Sequence, residues 1–343
     1  MKRLAIAVLV ACGSNHASPA TDGAASTSDA GPIAPADQWT WIAVDGTTCG
    51  NGSVAGFGID ASGSGSDLWV YFEGGGACWD ATTCFTENAA VNITTSYGSA
   101  QLATDTAAMV PDRSSGNFLA ALNYVFVPYC TGDIHAGDNV MSYGSAGTVH
   151  HTGATNTAAF VAKLQQAFPG AANIYVLGSS AGGFGATMNF HRFTTTWPSA
   201  SVHLLQDSSP FVPFIASYQT LQTAWQIVFP PGCTDCGSDF TSAFDAVATA
   251  HPNSRIGLLT FDDDATISAY FGYTTSLIPA TMELVDGHYT QALTKAFVVA
   301  GTSHTMLGDL STVTAANGEV AQTWVTQWLV GDPSWATVKP AGE

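Results

Sequence analysis

The stretch Ile174-Tyr175-Val176-Leu177-Gly178-Ser179-Ser180-Ala181-Gly182-Gly183-Phe184-Gly185-Ala186 changes character twice. Ile174 to Leu177 has the composition of a buried strand, Gly178 to Gly182 is a G-x-S-x-G turn centred on Ser180, and the residues after it carry helical spacing. A serine held on a strained strand-to-helix corner needs neighbours without Cβ atoms, so that strand and helix can pass close together. The reading is therefore a nucleophile elbow. A glycine-rich turn with no chemical purpose has the same composition, so the rest of the chain decides between them.

Working outward, Leu68 to Phe72, Tyr124 to Val127, Val202 to Leu205, Ile256 to Phe261 and Phe297 to Ala300 are short apolar runs rich in β-branched and aromatic residues, without alternation. That pattern suits strands buried on both faces of a parallel sheet. Thr155 to Phe168, Gly182 to Phe193 and Val320 to Val330 have helical spacing, the last with Val320, Trp324 and Trp328 at i, i+4 and i+8. The alternation predicts an α/β fold with a mostly parallel central sheet flanked by helices. Residues 39–336 are expected to form one domain, with 337–343 as a C-terminal tail; the long Gly/Ser/Thr-rich loops suit a site built at strand C-termini.

Ahead of the domain, Met1-Lys2-Arg3 and the apolar Leu4 to Ala11 make an export signal too short to span a bilayer. Leu9-Val10-Ala11-Cys12 resembles a bacterial lipobox, which would make residues 1–12 a lipoprotein signal with Cys12 as the lipidated residue. Residues 13–38 are dominated by Ser, Ala, Gly, Thr, Asp and Pro and are expected to be a disordered linker, because they hold too little apolar area to offset chain entropy. Such a protein belongs in the cell envelope or outside the cell, touching the membrane only through its lipid. The remaining cysteines, Cys49, Cys78, Cys84, Cys130, Cys233 and Cys236, form an even set. In an exported chain that predicts disulfides. Six cysteines allow about 15 pairings; Cys78 with Cys84 and Cys233 with Cys236 are close in sequence, which leaves Cys49 with Cys130. Cys233-Thr234-Asp235-Cys236 could instead be half a zinc site or a redox dithiol, but no second C-x-x-C or spaced His pair accompanies it, and no metal or cofactor is expected.

The 343 residues are 46% hydrophobic and carry a net charge of -18; without Lys2 and Arg3 it becomes -20, from 6 basic against 26 acidic residues. Nucleic acid is excluded as a partner by the lack of basic clusters. The same charge opposes a polyanionic substrate, since only Lys163, Arg192 and Arg255 lie in the middle of the chain.

A nucleophilic serine needs an acid and then a histidine further along, each after a strand. His304, in Gly301-Thr302-Ser303-His304, follows the last apolar run and precedes the C-terminal helix. It is expected to act as general base toward Ser180 and then as general acid. Asp262, Asp263 and Asp264 follow the run ending at Phe261, and Asp207 follows an earlier one. One of the four is the acid; Asp264 is preferred because the later strand is the commoner position. An oxyanion needs backbone donors from the residue after the nucleophile, Ala181, and from a loop after an early strand. Glu73-Gly74-Gly75-Gly76-Ala77-Cys78-Trp79 is such a loop, and a Cys78 to Cys84 bridge would stiffen it.

Phe72-Glu73-Gly74-Gly75-Gly76-Ala77-Cys78-Trp79 with Cys84, Val127-Pro128-Tyr129-Cys130-Thr131-Gly132-Asp133, the Ser180 segment and Ser303-His304 together resemble the pectin acetylesterase and Notum family, in the family's order across roughly residues 39 to 330. The resemblance implies an α/β-hydrolase fold and a serine esterase with Ser180, Asp264 and His304 as triad. It implies donors at Gly75, Gly76 and Ala181, and disulfides pairing Cys78 with Cys84 and Cys49 with Cys130. Two departures limit it: Gly76 stands where animal and plant members have an aromatic residue, so the acyl-pocket wall differs, and the chain has far fewer cysteines.

The expected function is an exported, monomeric serine carboxylic ester hydrolase. It would act through an acyl-enzyme and remove acetyl or other short acyl groups from polysaccharide or small esters. Trp79, Tyr129, His135 and Phe184 could line an acyl pocket or a sugar platform. The competing expectations are a lipid or protein deacylase, a serine peptidase, and a non-catalytic surface protein that binds glycan or a partner on the same fold.

Overall fold

The computed structural model describes residues 32–114, 117–213 and 215–342; the lipobox Cys12, the signal 1–12 and most of the linker lie outside them. In chain order the strands are β1 (Thr40–Thr48), β2 (Val54–Asp60), β3 (Leu68–Phe72), β4 (Asn123–Val127), β5 (Asn139–Ser142), β6 (Thr148–His151), β7 (Asn173–Ser179), β8 (Ser201–Asp207), β9 (Ile256–Phe261) and β10 (Thr294–Val299). The helices are α1 (Ser99–Asp105), α2 (Gly153–Ala167), α3 (Ala181–Thr196), α4 (Tyr218–Trp225), α5 (Thr241–Ala250), α6 (Ala265–Phe271), α7 (Ile278–His288) and α8 (Ala321–Val330).

Eight strands form one sheet in the order β1-β2-β4-β3-β7-β8-β9-β10, and β5 with β6 makes a separate hairpin. From β4 to β10 every pairing is parallel; β1–β2 and β2–β4 are antiparallel. Every residue of β3, β4 and β9 is buried, which is why these runs are apolar without alternation. Side chains of β3 go alternately to the two faces: Phe72 packs edge-on against Phe193 of α3, while Trp69 packs at a tilt against Tyr175, which meets Trp328 of α8. Helices therefore cover both faces. Trp324 and Trp328 of α8 are fully buried, the outcome their four-residue spacing predicts.

Both ends of the domain reach further than composition indicated. Ala36 bridges to Ala61, and Asp37 pairs with Arg113, which also binds Asp60 at 2.5 Å. At the other end Val338 exchanges backbone hydrogen bonds with Ala296 and Val298, extending the sheet beside β10. Cys49–Cys130, Cys78–Cys84 and Cys233–Cys236 are disulfide-bonded. The first ties the strand β1 to the loop after β4, across 81 residues of chain.

Candidate active site

The C-terminal ends of β3, β7, β8, β9 and β10 gather the reactive side chains, because in a parallel sheet all these strands finish at one edge. At the end of β7 the chain turns into α3 through Ser180, whose backbone sits at φ 56°, ψ -126°, a conformation that L-residues rarely adopt. Close packing enforces it. A Cβ on Gly182 would stand 2.0 Å from the carbonyl oxygen of Phe72, so only glycine lets α3 start this near β3.

Three successive aspartates follow β9, and their backbone positions send them to three different places. Asp262 accepts the N–H of Gly301, and Asp263 accepts the N–H of Leu277 and the hydroxyl of Ser276. Asp264 is completely buried; its Oδ1 caps α6 by accepting from Thr266 and Ile267, and its Oδ2 lies 2.8 Å from Nδ1 of His304. The His304 side chain is about a fifth exposed. Asp207, the rival acid, makes no bond to His304. It instead accepts from Ser179 Oγ, Met306 N and Leu307 N. Ser180 and His304 are brought to the same edge, but among the described residues no hydrogen bond joins them; such bonds are often long before substrate binds.

The glycine loop runs alongside. A Cβ on Gly74 would lie 3.0 Å from Cβ of Ser180. Gly76 has φ +81°, and a side chain there would strike Ala89 O and the hydroxyl of Tyr270, which donates to that same carbonyl at 2.5 Å. Among the described residues nothing accepts the N–H groups of Gly75, Gly76 or Ala181. Cys78–Cys84 and the pairing of Gly76 with Ala90 stiffen the loop.

Ser180, Ala181, Gly76 and Ala77 open onto a cavity of about 550 Å³, counting the space open to solvent. Trp79 and Phe184 line it. Tyr129 and His135 do not: Tyr129 N donates to the Glu73 carboxylate and its hydroxyl accepts from Ile134 N, while His135 Nε2 bonds Glu73 O at 2.8 Å, so both support the glycine loop from beneath. Burial lowers the pKa of His135 and pushes the half-buried Glu73 carboxyl up to about 8. Besides Ile134, the rest of the wall comes from segments that no sequence motif marks: Ile215, Tyr218, Leu221, Trp225, Ile227 and Phe240 from the stretch after β8, and Ile267, Tyr270 and Phe271 from α6. The available signal was the i, i+3, i+7 spacing of Tyr218, Leu221 and Trp225 on α4.

Among the described residues no charged side chain lines this cavity, and Tyr218, Tyr270 and Trp225 turn their polar ends away. Tyr218 donates to Cys236 O, Tyr270 to Ala89 O, and Trp225 Nε1 to Cys78 O at 2.7 Å. Away from Ser180 and the backbone of Gly76 and Ala181, what faces the interior is mainly ring and aliphatic carbon.

A parallel-edged sheet with helices on both faces, a serine on the strand-to-helix corner and an aspartate–histidine pair on later loops define the α/β-hydrolase class of fold. Within it, the sequence model of the Pectinacetylesterase family matches residues 40–232, and the chain belongs to that family. It is 28% identical over 172 residues to palmitoleoyl-protein carboxylesterase notum2 of Xenopus laevis, covering 48% of this chain and 35% of that protein. Against palmitoleoyl-protein carboxylesterase NOTUM of Homo sapiens it is 28% identical over 173 residues, covering 48% and 34%. The matched stretch thus spans about a third of each relative's length. The structure of the Wnt deacylase Notum from Drosophila superposes with a TM-score of 0.65 at 16% identity, over 88% of this chain and 96% of that one, which shows a common fold.

Proposed function

We propose that the protein is a serine carboxylic ester hydrolase working through an acyl-Ser180 intermediate. The observation that carries the reading is the Asp264–His304 pair on the same sheet edge as a strained Ser180, beside three backbone N–H groups that have no acceptor among the described residues. His304 takes the Ser180 proton as Oγ attacks the ester carbonyl, then gives it to the departing alkoxide; water, deprotonated by the same ring, attacks the acyl-serine and releases the acid. Asp264 holds Nδ1–H and so fixes Nε2 as the base. Gly76 and Ala181, with Gly75 next in the loop, stabilise the oxyanion, each donor contributing about 10²–10³ in rate.

The cavity beside Ser180 sharpens the substrate. The sequence points to acetyl or other short acyl groups, and the rings and aliphatic carbons beside Ser180 suit the acyl part of the ester. The hydroxyls of Tyr218 and Tyr270 and the indole N–H of Trp225 are bonded away from the cavity, which suits an aliphatic acyl chain better than a sugar, whose hydroxyls would lose hydrogen bonds there. Pectin itself fits poorly: Arg255 is bonded to the carbonyls of Trp328 and Leu329, and Arg113 to Asp60, so these cations serve the fold. Three disulfides support an exported protein, which we place in the cell envelope with Cys12 as its lipid attachment.

The test is a rate profile over nitrophenyl esters from acetyl to palmitoyl, with Ser180→Ala as control and acetylated pectin and acetylxylan alongside. Hydrolysis of aliphatic acyl esters, lost in the variant, is expected, and the position of the maximum gives the acyl length. No hydrolysis of any ester, or hydrolysis unaffected by Ser180→Ala, sinks the proposal.

A further inference from the structure

The end of β8 touches both halves of the reactive set. Through Asp207 and Ser208 it makes five hydrogen bonds to two loops that are far apart in sequence. On the nucleophile side, Ser180 N donates to the Asp207 carbonyl at 2.7 Å, and Ser179 Oγ donates to Asp207 Oδ2 at 2.8 Å. On the histidine side, Thr305 N donates to Ser208 Oγ at 2.8 Å, Met306 N to Asp207 Oδ1 at 2.7 Å and Leu307 N to Asp207 Oδ2 at 3.1 Å.

Both partners need holding. Ser180 and Thr305 each have positive φ, at 56° and 66°, so the corner under the nucleophile and the residue after His304 are strained backbone that relaxes unless neighbours fix it. The loop 301–307 otherwise lacks regular structure.

We propose that Asp207 is a positioning residue that sets His304 against Ser180, with Ser208 completing the clamp. It touches no substrate and is not the triad acid; it acts through the two loops it joins. The inference rests on the esterase reading for its kinetic consequence, though the geometry it concerns exists without substrate.

The chemistry requires a carboxylate. Asp207 is fully buried and three donors converge on its two oxygens, a demand met by an acceptor-only group. An asparagine presents one oxygen and one NH₂. With its oxygen toward Leu307 and Ser179, the NH₂ meets the Met306 N–H; turned over, it meets the Leu307 N–H. Either way a donor faces a buried backbone donor, and the histidine loop must shift. Burial pushes the Asp207 carboxyl up to about 6, a rise that its three donors and His304 oppose.

The experiment compares wild type, Asp207→Asn and Ser208→Ala by kcat and KM on a nitrophenyl ester, near-UV circular dichroism, and the proton resonance of His304 Nδ1–H. Folded Asp207→Asn is expected to lose about 10²-fold in kcat, the scale of a roughly 1 Å misplacement, with KM nearly unchanged. Its His304 resonance should shift or broaden. Ser208→Ala, which removes only the Thr305 acceptor, should show the same changes in smaller measure. A folded Asp207→Asn with wild-type kcat, or with lowered kcat and an unaltered His304 resonance, overturns the proposal. If Asp207→Asn does not fold, Ser208→Ala decides by the same criteria. If wild type hydrolyses no ester, the esterase reading fails, and the His304 resonance still settles whether Asp207 positions that ring.

Discussion

Asp264 divides its carboxylate between two tasks: Oδ2 holds His304 Nδ1 at 2.8 Å, while Oδ1 accepts the N–H groups of Thr266 and Ile267 at 3.0 Å each. The helix cap fixes the angle at which the acid meets the ring. Asp264→Asn can keep the cap through its amide oxygen but offers an NH₂ to Nδ1, favouring the wrong tautomer. A fall in kcat of about 10⁴-fold with the fold intact is expected. Steady-state kinetics with circular dichroism check it, and a loss below tenfold would return the acid's role to an open question.

The wall of the cavity makes a prediction about chain length. Leu221 lines it from α4 and is almost wholly buried. Leu221→Trp should fill space that a longer acyl chain needs while leaving room for acetyl. The ratio of kcat/KM for octanoyl over acetyl ester should drop about tenfold or more, within the range that apolar pockets achieve per methylene. An unchanged ratio would show that the chain lies elsewhere.

The Cys49–Cys130 bridge closes a long loop and sits next to Tyr129, which holds Glu73. Replacing both cysteines by alanine should cost about 2–5 kcal/mol. Urea unfolding of the double variant measures it. A cost under 1 kcal/mol, about the worth of one ordinary hydrogen bond, would mean that β1 and the β4 loop are held by their other contacts.

Stability should also depend on pH in a defined direction. Burial raises Glu73 from 4.5 to about 8, so the folded protein keeps a proton that the unfolded chain releases at lower pH. Unfolding free energy should therefore fall as pH rises from about 4.5 to about 8 and flatten above, by up to about 1.4 kcal/mol per pH unit for this one group. Asp207, raised to about 6, adds a fall of the same sign from about 4 upward. Glu73→Gln keeps an acceptor for Tyr129 N and removes one proton's contribution. Denaturant melts across this range should show wild type losing ground to Glu73→Gln as pH increases; parallel curves would refute the assignment.

The buried strands were legible in the sequence because burial on both faces erases polar alternation, and β3 and β9 have the boundaries their apolar runs suggest. β1 and β2 were not, since antiparallel strands toward an edge carry Asp45, Thr47 and Asp60 among apolar residues. Ser180 and His304 could be named from their place after strands. Choosing among Asp262, Asp263 and Asp264 could not be done from composition: the register at the end of β9, where Asp262 N bonds Val299 O, fixes which carboxylate faces the ring. The cavity wall escaped because its contacts with Ser180 depend on tertiary folding of the stretch between β8 and β9. Tyr129 and His135, near the site in sequence, proved to lie behind the glycine loop.

That stretch, residues 208–255, supplies Ile215, Tyr218, Leu221, Trp225 and Phe240 to the cavity, whereas Ser180, Asp264 and His304 stand on the sheet edge or the loops leaving it. On the proposed reading, much of the pocket wall is thus encoded apart from the reactive residues, although α6, capped by Asp264, adds Ile267, Tyr270 and Phe271. Natural variation or an engineer could then lengthen, shorten or exchange the part of this stretch beyond Ser208, which itself holds Thr305 N, with little disturbance to those residues. Preference for acyl length is then expected to drift quickly among relatives that keep the same reactive core.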